Sequence, residues 1–266
     1  DIGYVSLNAA GNRVAVTTSS GDHSITEFTD SGDTTSTWTL PYRAFRNDNA
    51  PQLGPTIKLN AIGDKCIYGD YDALNQSGIY DAGGRVTAYQ LLDGPGLAKP
   101  VEQLGSDLYG YFNLGLGASV SINDVGNIIS AAGPGYNGKG AQRIYKYTGA
   151  DWVLQQEYQL LNQGDSSVGS GQVNAYIGAD INAAGTIAVV GSWNADNIPA
   201  GTTNTGNVRV FLSSTCGDGQ DQIWSRIGED LTGASNAYDV SMNSAGDRII
   251  TGDPRHPAAA FELLTY

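Results

Sequence analysis

The hydrophobic and polar positions of this chain follow a twelve-residue pattern that occurs five times. Apolar residues alternate with a polar one up to an Asn, a Gly stands three residues after the Asn, and a second apolar run follows. The five copies occupy residues 5–16, 57–68, 120–131, 179–190 and 240–251. Their Asn and Gly residues are Asn8 and Gly11, Asn60 and Gly63, Asn123 and Gly126, Asn182 and Gly185, and Asn243 and Gly246. Each copy predicts a strand, a tight turn and a second strand.

The chemistry of the turn explains why Asn and Gly recur. An Asn side chain can hydrogen-bond the backbone two residues further on, the next two residues suit a type I turn, and Gly adopts the positive φ that other residues resist. A hairpin with a bulged Gly follows. These residues are therefore predicted to form turns and to bind no ligand.

Two further strands follow the hairpin in each unit. The third carries an apolar residue and an aromatic one three positions later: Ile25 and Phe28, Val86 and Tyr89, Ile144 and Tyr147, Val208 and Phe211, Ala258 and Phe261. The fourth is marked by Trp or a short apolar run at residues 37–40, 101–104, 152–160 and 223–227. No window shows a helical period, so we expect almost no helix.

Four-stranded antiparallel units repeated at intervals of 52, 63, 59 and 61 residues predict an all-β, five-bladed β-propeller. A single domain is expected, with units at about residues 1–51, 52–115, 116–174, 175–236 and 237–266. The first strands, beginning near Val5, Ile57, Val120, Ala179 and Val240, should line the channel.

The last unit has enough chain for only three strands. Its third strand carries an apolar outer edge at Phe261, Leu263, Leu264 and Tyr266. Open edges recruit other strands, so we expect this edge to be covered by a loop or completed by a strand from another chain or a missing segment. The second case would make the protein an assembly subunit.

The repeat resembles a known family of propellers. The pattern x-Val-x-Leu-Asn-x-x-Gly-Asp-x-Ile-x-x-Gly, a Val-x-Val-Tyr strand and a Trp strand ending in Ile-Gly-x-Asp-x-x-Gly resemble FG-GAP-like and WD-repeat-like propellers, most clearly in residues 223–253. All five units match it loosely. Integrin-type FG-GAP blades carry an Asp-rich calcium loop, whereas the turns here have too few carboxylates for a hard cation. We therefore predict no metal and no cofactor.

Composition excludes two classes of partner. Fourteen Lys and Arg against twenty-seven Asp and Glu leave a net charge of −13, which repels nucleic acid and anionic membrane surfaces. No apolar run approaches the roughly 18 residues of a membrane span. An acidic, lysine-poor surface favours an extracellular, cell-surface or virion location.

The cysteines and histidines suggest little chemistry. Cys66 and Cys216 stand alone in different units and are predicted to be a buried thiol and a loop thiol. His23 and His256 are predicted to lie in loops before third strands. A two-histidine site between the terminal units is geometrically possible, but solvated loop histidines are the favoured interpretation.

Aromatic residues beside acids and amides recur in connections predicted to share one face: 69–85, 105–119, 133–142, 162–178 and 191–207. Such groups suit a sugar or a protein partner equally well, and each ring could instead pack between blades. The candidate binding residues are Asp70, Tyr71, Asp72, Tyr109, Tyr111, Tyr136, Trp193 and Asp196.

Two functions are consistent with these features. No catalytic motif is present, which favours a non-enzymatic binding or assembly module for protein or glycan partners. The alternative is a glycosidase-like enzyme whose carboxylates, such as Asp70, Asp180 and Asp253, converge on the channel. Two or three carboxylates meeting there would favour the enzyme, and an apolar or Gly-lined channel would exclude it.

Overall fold

The computed structural model describes residues 2–18, 22–29, 37–46, 56–74, 82–93, 99–135, 140–159, 177–192, 207–215, 222–231, 239–253 and 256–262. Within these ranges the chain forms twenty strands and no helix. The described residues therefore contain no helix that is long and apolar enough to cross a membrane.

The strands form five antiparallel sheets in a propeller arrangement, which confirms the predicted fold. Blade 1 holds β1 (Ile2–Leu7), β2 (Arg13–Thr18), β3 (Asp22–Thr29) and β4 (Thr37–Arg46). Blade 2 holds β5 (Thr56–Leu59), β6 (Lys65–Asp70), β7 (Arg85–Leu91), β8 (Val101–Gln103) and β9 (Leu108–Tyr109). Blade 3 holds β10 (Ser119–Ile122), β11 (Ile128–Gly133), β12 (Ala141–Tyr147) and β13 (Trp152–Gln159). Blade 4 holds β14 (Ile177–Ile181), β15 (Ile187–Ser192), β16 (Asn207–Thr215) and β17 (Gln222–Leu231). Blade 5 holds β18 (Asp239–Met242), β19 (Arg248–Asp253) and β20 (His256–Glu262).

Two blades depart from four strands. Blade 5 has three, as predicted, and among the described residues β20 pairs only with β19. Leu263, Leu264 and Tyr266, which were predicted to extend its outer edge, lie outside the described residues, and Phe261 lies in β20. Blade 2 has five strands, because β9 folds back onto β7 beside β8. The sequence did not predict this extra strand.

The Asn of each hairpin, which we call the hub Asn, organises its turn through both ends of the amide. Asn182 Oδ1 accepts hydrogen bonds from the backbone N–H groups of Thr186 (2.8 Å) and Ile187 (2.9 Å), and its Nδ2 donates to Thr186 Oγ1 at 3.2 Å. Asn8 and Asn123 also accept from the fourth and fifth residues, whereas Asn60 and Asn243 accept from the turn Gly and the fifth residue. The partners are three to five residues further on, so the predicted bond to the second residue was wrong.

The hub Asn also binds the next blade. Asn8 Nδ2 donates to Ile62 O of blade 2 at 3.1 Å, and Asn182 Nδ2 donates to Ala245 O of blade 5 at 3.4 Å. Backbone bonds between successive turns accompany them, from Ala9 N to Ala61 O (3.0 Å) and from Ala183 N to Ser244 O (3.1 Å). One residue type therefore sets both the turn and the junction between blades.

The hydrophobic core is divided among these junctions. Ile25, Ile57 and Leu59 belong to a cluster between blades 1 and 2, and three similar clusters join blades 2 and 3, 3 and 4, and 4 and 5. Each blade is thus stabilised chiefly by its neighbours, as in other repeat proteins.

Several smaller predictions can be compared with the fold. The channel strands β1, β5, β10, β14 and β18 begin within three residues of the predicted positions. Cys66 is a buried free cysteine, as predicted, and burial raises the pKa of its thiol to about 12. Cys216 lies outside the described residues. His23 and His256 lie within β3 and at the start of β20, so their placement in loops was wrong.

The turn glycines allow a direct test of the junctions. Gly185 has φ +72°, and a Cβ there would lie 2.8 Å from Asn123 Nδ2 of the preceding blade, whereas a Cβ on Gly11 (φ +69°) would meet nothing within 4 Å. Both Ala variants have the left-handed backbone penalty, but only Gly185→Ala overpacks a junction. We expect it to cost about 1–3 kcal/mol more than Gly11→Ala in chemical denaturation. Equal losses would contradict this role.

A second matched pair tests the hub itself. Asn182 is buried and bonds to blade 5, whereas Asn243 makes the same kind of local turn but is exposed. Asn182→Ala leaves buried donors unsatisfied, at about 1–3 kcal/mol each, and water can replace the bonds lost in Asn243→Ala. Denaturant unfolding should therefore show the larger loss for Asn182→Ala. A smaller loss there would mean that the hub acts only within its own turn.

Candidate active site in the channel

One position of the repeat, two residues before the hub Asn, carries most of the channel's polar chemistry. It is the polar residue between the two apolar residues of each channel strand, so the five side chains lie at equivalent places in the five blades. They are Ser6, Lys58, Ser121, Asp180 and Ser241.

Asp180 of β14 is a fixed carboxylate that bridges three blades. Its Oδ1 accepts hydrogen bonds from Ser121 Oγ of blade 3 at 2.6 Å and from the Ile181 N–H at 2.9 Å. Its Oδ2 accepts from the Met242 N–H of blade 5 at 2.8 Å. These three donors hold the carboxylate in one orientation at the channel wall.

Asp239 of β18 is a second carboxylate with a different environment. Its Oδ1 accepts a hydrogen bond from the Val240 N–H at 2.9 Å, and its side chain is open to solvent. It nevertheless lies close enough to the packed channel strands for partial desolvation to raise its pKa above the ordinary value. The Val240 N–H and the positive charge of Lys58 lower this pKa, and the negative charge of Asp180 raises it.

Lys58 lowers the pKa of Asp239 from another blade. Lys58 lies on β5 of blade 2 and Asp239 lies on β18 of blade 5, with blades 3 and 4 between them in the chain. Successive channel strands contact one another, β1 with β5, β5 with β10, β10 with β14 and β14 with β18, so they lie around a common centre. The Lys58 side chain is exposed there.

Hydroxyl groups complete the wall of the channel. Ser6 Oγ accepts from the Leu59 N–H of the next blade at 3.0 Å, and Ser119 Oγ accepts from the Ala179 N–H at 2.9 Å. Thr56 Oγ1 donates to Gly117 O at 2.7 Å. These side chains join adjacent channel strands, so we assign them a structural role.

The arrangement has the elements of acid–base chemistry. Asp239 is accessible and has a raised pKa, Asp180 is fixed, and Lys58 supplies a positive charge that can stabilise an oxyanion. Two carboxylates in unlike environments commonly take different catalytic roles. Among the described residues, no group of three or more His, Cys, Asp or Glu side chains could hold a metal ion.

Of the acids considered for the glycosidase alternative, only Asp180 belongs to a channel strand. Asp70 ends β6, where its buried side chain lies 3.9 Å from Arg85 Nη2, and Asp253 ends β19. Lys58, Ser121 and Asp239 were not predicted. For Lys58 and Ser121 the available signal was their position in the repeat, which is polar in every copy and charged in only two. Asp239 lies two residues before that position, and the repeat gave no signal for it.

Parts of the predicted loop face do come together. Gly115 N donates to Ala82 O at 2.8 Å and Gly135 N donates to Leu114 O at 2.9 Å, so three of the five connections are in contact. Among the candidate binding residues, Asp70 and Asp72 share a turn, in which Asp72 N lies 3.4 Å from Asp70 Oδ1. Tyr71 follows β6 in the same turn.

Tyr109 and Tyr111 meet at Arg143 of blade 3. Arg143 Nη1 donates to Tyr109 O at 2.9 Å, and the guanidinium carbon lies 5.2 Å from the centre of the half-exposed Tyr111 ring. Tyr109 OH also lies 3.4 Å from Asp107 Oδ2, and Asp107 is paired with Arg85. These contacts stabilise the loop face, and its binding role stays a prediction. Tyr136, Trp193 and Asp196 lie outside the described residues.

Several solved structures share this fold. Hydrazine synthase of Kuenenia stuttgartiensis matches with a TM-score of 0.57 and 12% identity, over 97% of this chain and 64% of that chain. A putative 6-phosphogluconolactonase of Bacteroides uniformis matches with a TM-score of 0.56 and 12% identity, over 93% and 62%. A periplasmic gluconolactonase of Pseudomonas aeruginosa matches with a TM-score of 0.55 and 13% identity, over 96% and 68%. No protein-family model and no curated protein matches the chain.

These comparisons support the propeller and correct two predictions. The likeness shows the fold and gives no support to the FG-GAP or WD-repeat families in particular. The chain spans less than two thirds of the length of the first two structures. The prediction of a non-enzymatic binding or assembly module is contradicted, because propellers named as lactonases are among the structures of similar fold. The extracellular, cell-surface or virion location stays a prediction.

The electrostatics of the channel can be measured directly. Lys58→Met removes a charge that lowers the pKa of Asp239, and Asp180→Asn removes one that raises it. Titration of the Asp239 carboxyl by NMR should therefore give a midpoint above that of the wild type in Lys58→Met and below it in Asp180→Asn. Identical midpoints in all three proteins would show that the side chains do not interact across the channel.

Proposed function

We propose that this protein is a hydrolase that opens sugar lactones in the channel of the propeller. The observation that carries the proposal is the placement of the fixed Asp180 carboxylate and the exposed Asp239 carboxylate on the neighbouring channel strands β14 and β18. The choice of lactones is supported by the two propellers of similar fold that are named as lactonases. The residues of the site, and not the fold, decide the chemistry.

Asp239 is the general base of the proposed reaction. Its side chain is open to solvent, so a water molecule can reach it, and its raised pKa makes its carboxylate a better proton acceptor than an ordinary Asp. The base takes a proton from this water as the oxygen attacks the lactone carbonyl carbon. The bond from this carbon to the ring oxygen then breaks, and the ring oxygen leaves with a proton as the hydroxyl of an open hydroxy acid.

Lys58 and Asp180 serve the same step in different ways. The Lys58 ammonium stabilises the negative oxygen of the tetrahedral intermediate, an effect worth about 2.7–4 kcal/mol for a single donor in other hydrolases. Asp180 already accepts hydrogen bonds from three donors, so it holds the neighbouring channel strands in place. Its negative charge also contributes to the raised pKa of Asp239. We therefore class it as a positioning residue.

The experiment is an assay of glucono-δ-lactone and 6-phosphogluconolactone hydrolysis. Asp239→Asn and Lys58→Met should each lower kcat about 100-fold or more. Asp124→Asn removes an exposed acid on the turn of blade 3 and is the matched control, which should keep wild-type kcat. The rate should rise with pH through the raised pKa of Asp239, because the base acts when ionised.

Two outcomes would contradict the proposal. Wild-type protein that leaves the spontaneous rate of both lactones unchanged is not a hydrolase of this class. An Asp239→Asn variant with full activity would show that the base lies elsewhere. A difference between the two lactones would report whether a phosphate is accepted near Lys58.

A further inference from the structure

The four blade junctions bury equivalent residues. A blade face that has no neighbouring blade can therefore be recognised, because the same residues are exposed there. The residue seven positions after the hub Asn is completely buried in blades 1, 2, 3 and 4, where it is Ala15, Ile67, Ser130 and Val189. In blade 5 the same position is Ile250, and 57% of its surface is exposed. The face of blade 5 that should pack against a next blade is therefore open.

The polar groups of this face are open as well. In blades 1 to 4 the hub Asn is buried. Each of these four blades also bonds the following turn, either through the N–H of the residue after the hub or through the hub amide. In blade 5 the corresponding Ser241, Asn243 and Ser244 are all exposed. The donors and acceptors that join blades elsewhere meet solvent here.

Blade 1 presents the complementary half of a junction. Val5 and Leu7 are each 57% exposed, whereas the equivalent Ile57 and Leu59 of blade 2 are 2% and 7% exposed. A Cβ on Gly11 would meet nothing within 4 Å, although the turn glycines of blades 2 to 5 lie against the preceding blade. The face of blade 1 that should receive a preceding blade is also open.

Blades 5 and 1 do not close this junction with each other. Among the described residues, Ser244 N makes no bond to Ala9 O, and none of the four hydrophobic clusters joins β18–β20 to β1–β4. The faces are matched in chemistry, and the exposure of Ile250, Val5 and Leu7 shows that neither face covers the other. A gap therefore interrupts the array between its last and first blades.

We propose that this gap is the seat of one or two further blades that carry the same hairpin turn, on an additional segment of polypeptide. The two open faces have the same chemistry as the four observed junctions. The contacts of those junctions therefore predict which groups the occupant must present. The occupant presents a turn carbonyl to the Ser244 N–H, a Gly against Asn243 and apolar side chains against Ile250. Its other face presents a hub Asn to the turn at Gly11 and apolar side chains to Val5 and Leu7.

The size of the occupant follows from the curvature of the array. Successive channel strands from β1 to β18 contact one another, so the five blades curve around one channel. A propeller has about four to eight blades, which leaves room for about three more at most and excludes a second five-bladed copy. About a third of the hydrazine synthase chain and of the Bacteroides uniformis chain lies outside the match, which is room for about two more units of this length.

The first experiment tests whether the face is open. Ile250→Asp should leave the melting temperature within about 2 °C of wild type, as an exposed substitution does, whereas the matched Val189→Asp buries a charge and should unfold the protein. A large loss of stability in Ile250→Asp would show that something in this chain already covers the face, which would overturn the proposal.

The second experiment supplies an occupant. A copy of residues 116–174, which contain the four strands of blade 3, is joined to the carboxyl end, and amide exchange is followed at Ser244. We expect exchange there to slow at least about tenfold. In the matched control the appended copy carries Gly→Val at the position of Gly126, which should block seating on Asn243 and leave exchange fast.

The remaining outcomes are equally decisive. Unchanged exchange at Ser244, with circular dichroism showing the added strands, would overturn the proposal. So would concentration-dependent self-association of the unextended chain that Ile250→Asp abolishes, because a second copy would then be the occupant. If Ile250→Asp is harmless while lactone hydrolysis is absent, the open junction stands and only the proposed enzyme function fails.

Discussion

The hydrogen bonds of the hub Asn are the constraint on which the propeller depends. A buried amide must satisfy both its oxygen and its nitrogen, since an unsatisfied polar group in the interior costs about 1–3 kcal/mol. Asn182 meets this requirement by bonding the returning strand of its own hairpin and Ala245 of the next blade. Neither Asp, which lacks the donors, nor a hydrophobic residue can make both sets of bonds. One side chain therefore determines both the turn of its own hairpin and the contact with the next blade. This explains why Asn recurs in every unit.

This constraint leaves one position of each channel strand free for chemistry. The residues directly before and three before the hub are apolar and fill the junctions, as Ile57 and Leu59 do. The residue between them varies more: Ser6 and Asp180 accept hydrogen bonds from the next blade, whereas the Lys58 side chain is exposed. Lys58 and Asp180 occupy that position in different blades and are held at related places around one centre. Equivalent positions of the repeated strands thus carry different polar residues, and these residues form the candidate site.

The sequence predicted what the repeat determines. Strand order, the turn at each Asn and Gly and the three strands of blade 5 all follow from periodicity and chain length. It could not predict β9, because two residues carry no periodic signal and their pairing with β7 depends on the packing of the long connection around them. The electrostatic influence of Lys58 on Asp239 was also inaccessible, since these residues are far apart in the chain and lie on channel strands of different blades. The choice of Asp70 as a channel acid failed for the converse reason, because a strand-end position does not reveal that Arg85 lies beside the carboxylate.

The open junction and the channel site are physically connected. Asp239 and Ser241 are two residues apart on β18, the channel strand of the blade whose next-blade face is exposed. A blade seated against Ser241 and Ser244 would remove water from the neighbourhood of Asp239, and desolvation is already the largest cause of its raised pKa. Loss of water disfavours the ionised carboxylate further, so the proton affinity of the proposed base would increase when the array is completed. Because the charge of Lys58 acts more strongly where less water screens it, the same event would strengthen the stabilisation of an oxyanion. Completion of the propeller would thereby tune the site as well as the fold.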